Sequence, residues 1–123
     1  MRCQPINEVN YRVYSNSGYL GYVDVGGSVW ADEKCIGRVD QRSGKVYKIN
    51  DIEVGFVSER GVVVCNGDIA GLVNPYLEVW SRGEKVGWLV GSQTNLVIAG
   101  GGALLLLLTQ STQTISQLNK SSA

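Results

Sequence analysis

The sequence predicts an all-β fold, a closed ring of four to five repeated short β-hairpins, followed by a C-terminal α-helix. Three observations carry this prediction. A Val-aromatic pair and an apolar-Gly-X-apolar tetrad alternate along residues 12–91, polar turns separate them, and an uncharged apolar stretch follows. Short apolar segments between turn residues are typical of antiparallel strands, whereas leucine and alanine favour helix.

The repeat has a period of 16 to 18 residues. Its glycines are spaced by 16, 18, 16 and 16 residues, and a valine stands eight or nine residues before each glycine. Five matches held in step indicate an internal repeat rather than a bias of composition. The pairs are Val13 and Gly21, Val29 and Gly37, Val46 and Gly55, Val63 and Gly71, and Val79 and Gly87.

Each repeated glycine shares a strand face with the residue two positions later, because side chains alternate between the two faces. That residue is aliphatic in every copy and is therefore predicted to be core: Val23, Val39, Val57, Val73 and Leu89. A glycine weakens a strand, so its recurrence indicates a close backbone approach or a sharp bend. We expect the space beside it to hold a neighbour's bulk, such as the aromatic ring of the Val-aromatic pair.

Polar residues mark the turns. Asn66-Gly67 is the most specific signal, because a two-residue type I′ hairpin turn needs positive φ at both central positions. Asp24 and Asp40 stand three residues after their glycines, and Ser58 and Asn74 occupy the same place. A turn-initiating role fits these four positions better than a catalytic pair of carboxylates.

The ends of the repeat favour a closed ring. A single hairpin of this length is marginally stable in water, so the copies must pack around a shared centre, as a ring or as a solenoid. The repeats begin on a Val-aromatic segment at Val13-Tyr14 and end on a tetrad at Val86–Leu89. These two half-units can pair with each other and shut the ring.

The repeated pattern, as in IGRVDQRSGKVY and VGFVSERGVVV, resembles the short repeats of the four-fold beta flower domain family of bacterial proteins. The resemblance covers roughly residues 12–91. It implies a small all-β ring of four hairpin petals and no established biochemical activity. The chain departs from the pattern in having five copies of each half-motif, and Val64 replaces the aromatic residue in the fourth copy.

Residues 92–123 differ in character from the ring domain of residues 1–91. No charged residue occurs between Lys85 and Lys120, and residues 96–108 form a run without a polar side chain. This run is shorter than the about twenty residues that a straight helix needs to cross a bilayer. The sequence therefore predicts a hinge and an apolar helix that needs cover from protein.

We expect the helix to start near Ala103, with Gly100–Gly102 as the hinge, because each glycine inside a helix costs roughly 1 kcal/mol relative to alanine. The first turns of the helix are apolar on all sides. Self-association of identical chains would cover them, and three or more chains would do so better than two. The expected oligomer interface consists of Leu104, Leu105, Leu107, Leu108, Ile115 and Leu118.

Two other arrangements of the tail stay open. The helix can lie across its own ring, which would bury the leucines within one chain. Alternatively, residues 96–119 can anchor the protein in a bilayer or bind to its surface, with polar but uncharged residues drawn into the membrane. The sequence favours self-association over both.

Composition argues against most catalytic functions. The chain has no histidine, which removes the usual general base and the commonest metal ligand. Cys3, Cys35 and Cys65 are an odd count without metal-ligand spacing, and we expect them to be reduced thiols. The sequence therefore predicts no enzymatic activity, no metal and no cofactor.

Charge and the first residues bear on partners and location. Eleven basic and eleven acidic side chains balance, so the chain lacks the positive field that binding to phosphates draws on. The first fifteen residues contain no apolar run of the kind found in secretory signals. We expect a cytoplasmic protein that binds no nucleic acid, with membrane association as the alternative.

Tyr14, Trp30, Tyr47 and Trp80 are candidate ligand-facing residues, because a ring would bring the aromatic side chains of its copies together. Core packing is the competing explanation. The sequence as a whole predicts a non-catalytic structural or interaction module that self-associates through its apolar C-terminal helix. Small-ligand binding by the ring aromatics and membrane association through the tail are the alternatives.

Overall fold

The computed structural model describes residues 8–91 and 94–108. Ten antiparallel strands form a closed barrel, and a short helix follows, so the predicted closed ring of hairpins with a C-terminal helix is confirmed. The strands are β1 (Val9–Ser15), β2 (Gly18–Asp24), β3 (Ser28–Ala31), β4 (Lys34–Val39), β5 (Lys45–Lys48), β6 (Glu53–Val57), β7 (Val62–Cys65), β8 (Asp68–Val73), β9 (Glu78–Ser81) and β10 (Glu84–Val90).

The strands pair as five hairpins, numbered 1 to 5 in chain order from β1-β2 to β9-β10. The count matches the five copies of each half-motif, and the four petals implied by the family resemblance are wrong for this chain. Every hairpin has a register shift close to its repeated glycine, as between Val13 and Tyr14 in hairpin 1. Such bulges increase the local twist, which lets short strands curve into a ring.

The predicted core positions are confirmed. The five aliphatic residues that follow the repeated glycines by two positions are at most 4 % exposed. The valines of the Val-aromatic pairs point to the same side and are fully buried. These ten side chains line the inside of the barrel.

The predicted turn residues also have the expected roles. Asn66 and Gly67 have φ values of 54° and 84°, as a type I′ turn requires. The side chains of the four turn-initiating residues each accept a hydrogen bond from the backbone N–H two residues later. These residues are Asp24, Asp40, Ser58 and Asn74.

The helix starts earlier than the sequence predicts. Helix α1 spans Leu96–Ala103, and one turn of π-helix, Leu104–Leu108, continues it. Asn95 is the N-cap, and its side chain accepts hydrogen bonds from the N–H groups of Val97 and Ile98. The expected start near Ala103 is wrong because this cap satisfies the first free N–H groups of a helix that begins at Leu96.

The triple glycine is part of the helix, so the predicted hinge is also wrong. Gly100, Gly101 and Gly102 are buried within α1. A Cβ atom on these residues would collide with Val57, Val39 and Val23, respectively. The helix fits inside the barrel only because these three residues have no side chain. This packing outweighs the low helix propensity of glycine. The ring and the helix share one hydrophobic core.

A double-mutant cycle tests the contact between Gly101 and Val39. We expect Gly101→Ala to lower the free energy of unfolding by about 1–3 kcal/mol, because its Cβ would lie 2.8 Å from Val39 Cγ1 and still closer to Cγ2. Combining it with Val39→Ala should recover about 1–2 kcal/mol relative to the sum of the single losses. Urea unfolding measures each variant. Gly101→Ala with Val46→Ala is the control pair and should be additive.

The cysteines do not all match the expectation of reduced thiols. Cys35 is disulfide-bonded, which corrects the expectation of a reduced thiol at this position. Cys65 is a free, half-buried thiol. Cys3 lies outside the described part of the chain.

Candidate functional site

The most distinctive feature of the structure is the centre of the ring, which the π-helical turn Leu104–Leu108 occupies. Each of its five leucines meets one of the five repeated glycines. A Cβ atom on the glycine would lie 2.7–3.1 Å from a leucine Cδ atom in every case. The pairs are Leu104 with Gly55, Leu105 with Gly37, Leu106 with Gly21, Leu107 with Gly87, and Leu108 with Gly71.

The leucines follow the hairpins in reverse order around the ring, one residue to each hairpin. Leu104 faces hairpin 3, and the next residues face hairpins 2, 1, 5 and 4. A π-helix winds more slowly than an α-helix, since its hydrogen bonds join residues five apart rather than four. The wider turn lets five consecutive side chains reach five hairpins.

The repeated glycines make a second contact, with the backbone of the next hairpin. A Cβ atom on Gly37 would collide with the carbonyl oxygen of Tyr47, and one on Gly87 with that of Tyr14 across the closing seam. The same contact recurs at the other three glycines. The predicted close backbone approach is confirmed. The expected occupant was wrong, because a carbonyl group and a leucine fill the space rather than an aromatic ring.

The expected oligomer interface is wrong for the four residues that the structure describes. Leu104, Leu105, Leu107 and Leu108 are at most 7 % exposed and are covered by their own ring, which is the intramolecular alternative. Leu106, which the sequence-based interface left out, is buried with them. The ring surrounds this turn on every side, so all five leucines make the same kind of contact with it. Ile115 and Leu118 lie outside the described residues.

The four candidate ligand-facing aromatics do not surround a common site. They alternate with buried valines, so they lie on the outer face, each in a different hairpin and paired across strands with a different residue. Tyr14 stacks on Trp88 with centroids 5.5 Å apart, and Trp30 stacks on Tyr22 at 6.1 Å. The guanidinium of Arg38 lies 4.2 Å from the ring centroid of Tyr47, and Trp80 is in register with Leu72. The expectation that the ring gathers them is therefore wrong.

Tyr11, which the sequence analysis missed, fixes the start of the helix to the barrel. It is fully buried on β1, and its hydroxyl oxygen accepts a hydrogen bond of 2.6 Å from the N–H of Asn95. Burial raises the pKa of the Tyr11 phenol above 10.0, and this hydrogen bond opposes the rise only in part. The sequence contained no sign of this role, since the two residues are 84 positions apart.

We expect stability to fall at alkaline pH. A raised pKa in the folded state means that the contribution of Tyr11 is fully present below pH 10.0 and is lost as the pH rises through the folded-state pKa. Tyr11→Phe should cost about 1 kcal/mol at neutral pH and make the alkaline fall less steep. Urea unfolding between pH 7 and pH 11 measures both. Tyr76→Phe is the control, because that side chain is 84 % exposed, and it should change neither the stability at neutral pH nor the alkaline fall.

Asp24 is the only buried charged side chain among the residues described. Its Oδ1 accepts hydrogen bonds from the N–H groups of Gly26 and Ser28, and its Oδ2 accepts one from Trp30 Nε1, each 3.0 Å long. This carboxylate therefore holds the connection after β2 and orients Trp30. The side chain is fully buried, so the role of these hydrogen bonds is structural.

Removal of that carboxylate should be costly. We expect Asp24→Ala to lower the free energy of unfolding by about 2–4 kcal/mol, because it removes the partner of the buried Trp30 indole N–H as well as that of two part-buried backbone N–H groups. Asp40→Ala is the matched control at the same place in the next hairpin, where the carboxylate accepts from Arg42 and Ser43 at the surface. Those backbone N–H groups also lower the pKa of Asp40. Equal losses in the two variants, measured by urea unfolding, would contradict the role of burial.

A groove of about 450 Å³ lies between hairpins 4 and 5 at their tips. Leu108 forms part of its lining, together with Cys65, Ala70, Ser81, Arg82 and Val86. Within residues 8–91 and 94–108, no three metal-ligating side chains come close enough to hold an ion. No helix in this part of the chain combines the length and apolar character that crossing a membrane requires.

In comparison with known proteins, the chain matches no family model, no curated protein and no solved structure.

Proposed function

We propose that the protein is a non-catalytic structural and interaction module in which the ring binds an apolar helical segment, supplied in this structure by its own chain. The observation that supports the proposal is the match of five leucines to five glycines in the centre of the ring. The interior of a small barrel is where a ligand would bind, and here the helix fills it. Contacts with other molecules are then left to the outer face.

The interaction between ring and helix is almost entirely apolar. Ile98, Ala99, Ala103 and the five leucines belong to the same core cluster as the ring valines. Burial of each leucine is worth about 1.5–3 kcal/mol before entropic costs. Within the described part of the chain, the N–H of Asn95 donates a hydrogen bond to the Tyr11 hydroxyl, which joins the start of the helix to β1. Side-chain shape therefore determines which segment the ring accepts.

Cleavage of the folded chain tests the proposal. A protease site placed between Gly91 and Asn95 allows the connection to be cut after folding. We expect the two fragments to elute together in size-exclusion chromatography with the mass of the uncut chain. We also expect Leu106→Ala to speed release of the helical fragment at least tenfold, whereas Ile69→Ala, at a position that is 74 % exposed, leaves it unchanged. Separation of the fragments without denaturant, with the ring still folded, would contradict the proposal.

Self-association of the chain is also part of the proposal. It would use a surface other than the leucines, because these are buried in the ring. Ile69, Phe56 and Tyr19 are apolar side chains exposed on hairpins 4, 3 and 1, and they are surface that a second copy can reach, unlike the leucines. Light scattering of the uncut protein gives its molar mass. A monomeric mass at all accessible concentrations would contradict this part.

Family and location complete the proposal. The ring of like hairpins supports membership of the beta flower family, with five petals instead of four. The disulfide of Cys35 argues against the cytoplasmic location expected from the sequence, because disulfides persist mainly in oxidising compartments. An oxidising compartment is therefore the better proposal.

A further inference from the structure

The ring closes at one seam, between β1 and β10. Every other pair of neighbouring strands is consecutive in sequence, whereas these two strands come from opposite ends of the repeat. Their register joins Arg12 to Val90 and Ser15 to Gly87. Pairing across the longest sequence separation costs the most chain entropy, so this seam is expected to form late in folding.

The helix passes through the ring from one end to the other. Leu96 lies near Gly61, at the end formed by the connections between hairpins, where a Cβ atom on Gly61 would be 3.4 Å from Leu96 Cδ1. Leu108 lines a groove at the other end together with the tip residues Asn66 and Arg82. The sequence continues with residues 109–123. A ring that closed first would require this polar sequence to be threaded through it, and threading of a closed loop is very rare in proteins.

β1 also holds the start of the helix. The hydroxyl oxygen of Tyr11 accepts a hydrogen bond from the N–H of Asn95. Gly91 packs closely against β1 as well, since a Cβ atom on it would lie 2.5 Å from the carbonyl oxygen of Asn10 and 2.5 Å from Tyr11 Cδ1. Pairing of β1 with β2 has a second register shift, between Val9 and Tyr11, that the other four hairpins lack. This second bulge lies where β1 meets the segment that leads into the helix.

We infer that the helix docks on the open sheet first and that β1 then closes the ring around it as a latch. β10 leads directly into the helix, so β1 is the strand of the seam that is free to move. Detachment of β1 from β10 opens the ring sideways and breaks the hydrogen bond to Asn95. The latch therefore controls whether Leu104–Leu108 are covered.

Pulsed hydrogen exchange during refolding of the full chain tests the order. We expect the seam amides of β1 to become protected last, after those of Leu104–Leu108. Protection of the seam before the helix would overturn the inference. Each amide is followed separately in the unmodified chain, so no substitution is needed and misfolding of a variant cannot affect the result.

Fusion of a folded domain gives a second test of the order. A domain that stays folded in the denaturant is attached after Ala123, and the same domain is attached before Met1 as the control. If β1 closes around the docked helix, both fusions refold at the rate of the unmodified chain, within about twofold. Refolding at least tenfold slower in the C-terminal fusion alone would overturn the inference, since it would show that the tail must thread a closed ring.

Gly91→Ala tests the latch in the folded protein. Its Cβ would push against Asn10 and Tyr11, so we expect amide exchange of β1 and of Leu104–Leu108 to speed up together by at least tenfold. Gly83→Asn is the control, because nothing lies within 4 Å of a Cβ there and Asn tolerates its positive φ. Faster exchange in β1 with unchanged protection of the leucines would overturn the latch.

Discussion

A chain that ends at Gly91 is expected not to fold, although it contains all ten strands. Its barrel would have an empty centre, since the helix residues and the five leucines that fill the space between the ring valines all come after Gly91. Loss of five buried leucines at about 1.5–3 kcal/mol each is comparable with the whole stability of a domain, about 5–15 kcal/mol. We expect loss of the near-ultraviolet circular dichroism of the tryptophans and binding of a hydrophobic dye.

A chain that ends at Leu108 is the matched control. It keeps α1 and the π-helical turn, so we expect it to fold with the native spectrum. The comparison also tests the expectation, favoured from the sequence, that the C-terminal helix serves in self-association of separate chains. A folded, monomeric chain ending at Gly91 would contradict the role of the helix as core.

Gly55→Ala is the second substitution with a large expected effect, a loss of about 3 kcal/mol in the free energy of unfolding. A Cβ atom at this position would collide with the carbonyl oxygen of Val64 and lie 3.1 Å from Leu104 Cδ2. The carbonyl belongs to the backbone of the next hairpin and cannot turn away as a side chain can. Relief of the collision would require hairpins 3 and 4 to separate.

Two further variants separate the causes of this loss. Gly83→Asn, in a hairpin tip with no atom within 4 Å of a Cβ, should change stability by less than about 1 kcal/mol. Gly55→Ala combined with Leu104→Ala should be no more stable than Gly55→Ala, because the collision with Val64 remains. Recovery of stability in the double variant, measured by urea unfolding, would show that the leucine is the decisive neighbour.

Local chemistry in the sequence was sufficient to predict the hairpins. Asn66-Gly67 requires a turn because of its backbone preferences, and Asp24 initiates one because its side chain reaches the N–H of Gly26. Alternation of side chains placed Val39 and the equivalent residues in the core. These features depend on residues close to one another in the chain, so the sequence alone carries them.

The path of the helix could not be predicted in the same way. Gly101 was expected to be in a hinge because glycine disfavours helices, yet the deciding contact is with Val39, from a distant hairpin. Leu104 was expected to face other chains because the first turns of the predicted helix are apolar on all sides and need cover. One signal was present: five consecutive leucines equal the five repeated glycines in number.

The sequence by itself therefore determined that like hairpins would form, where their turns and core residues lie, and that an apolar helix would follow. The tertiary structure alone decided that the helix fills its own ring. The reason is that the space beside each glycine exists only after two hairpins and the helix have come together.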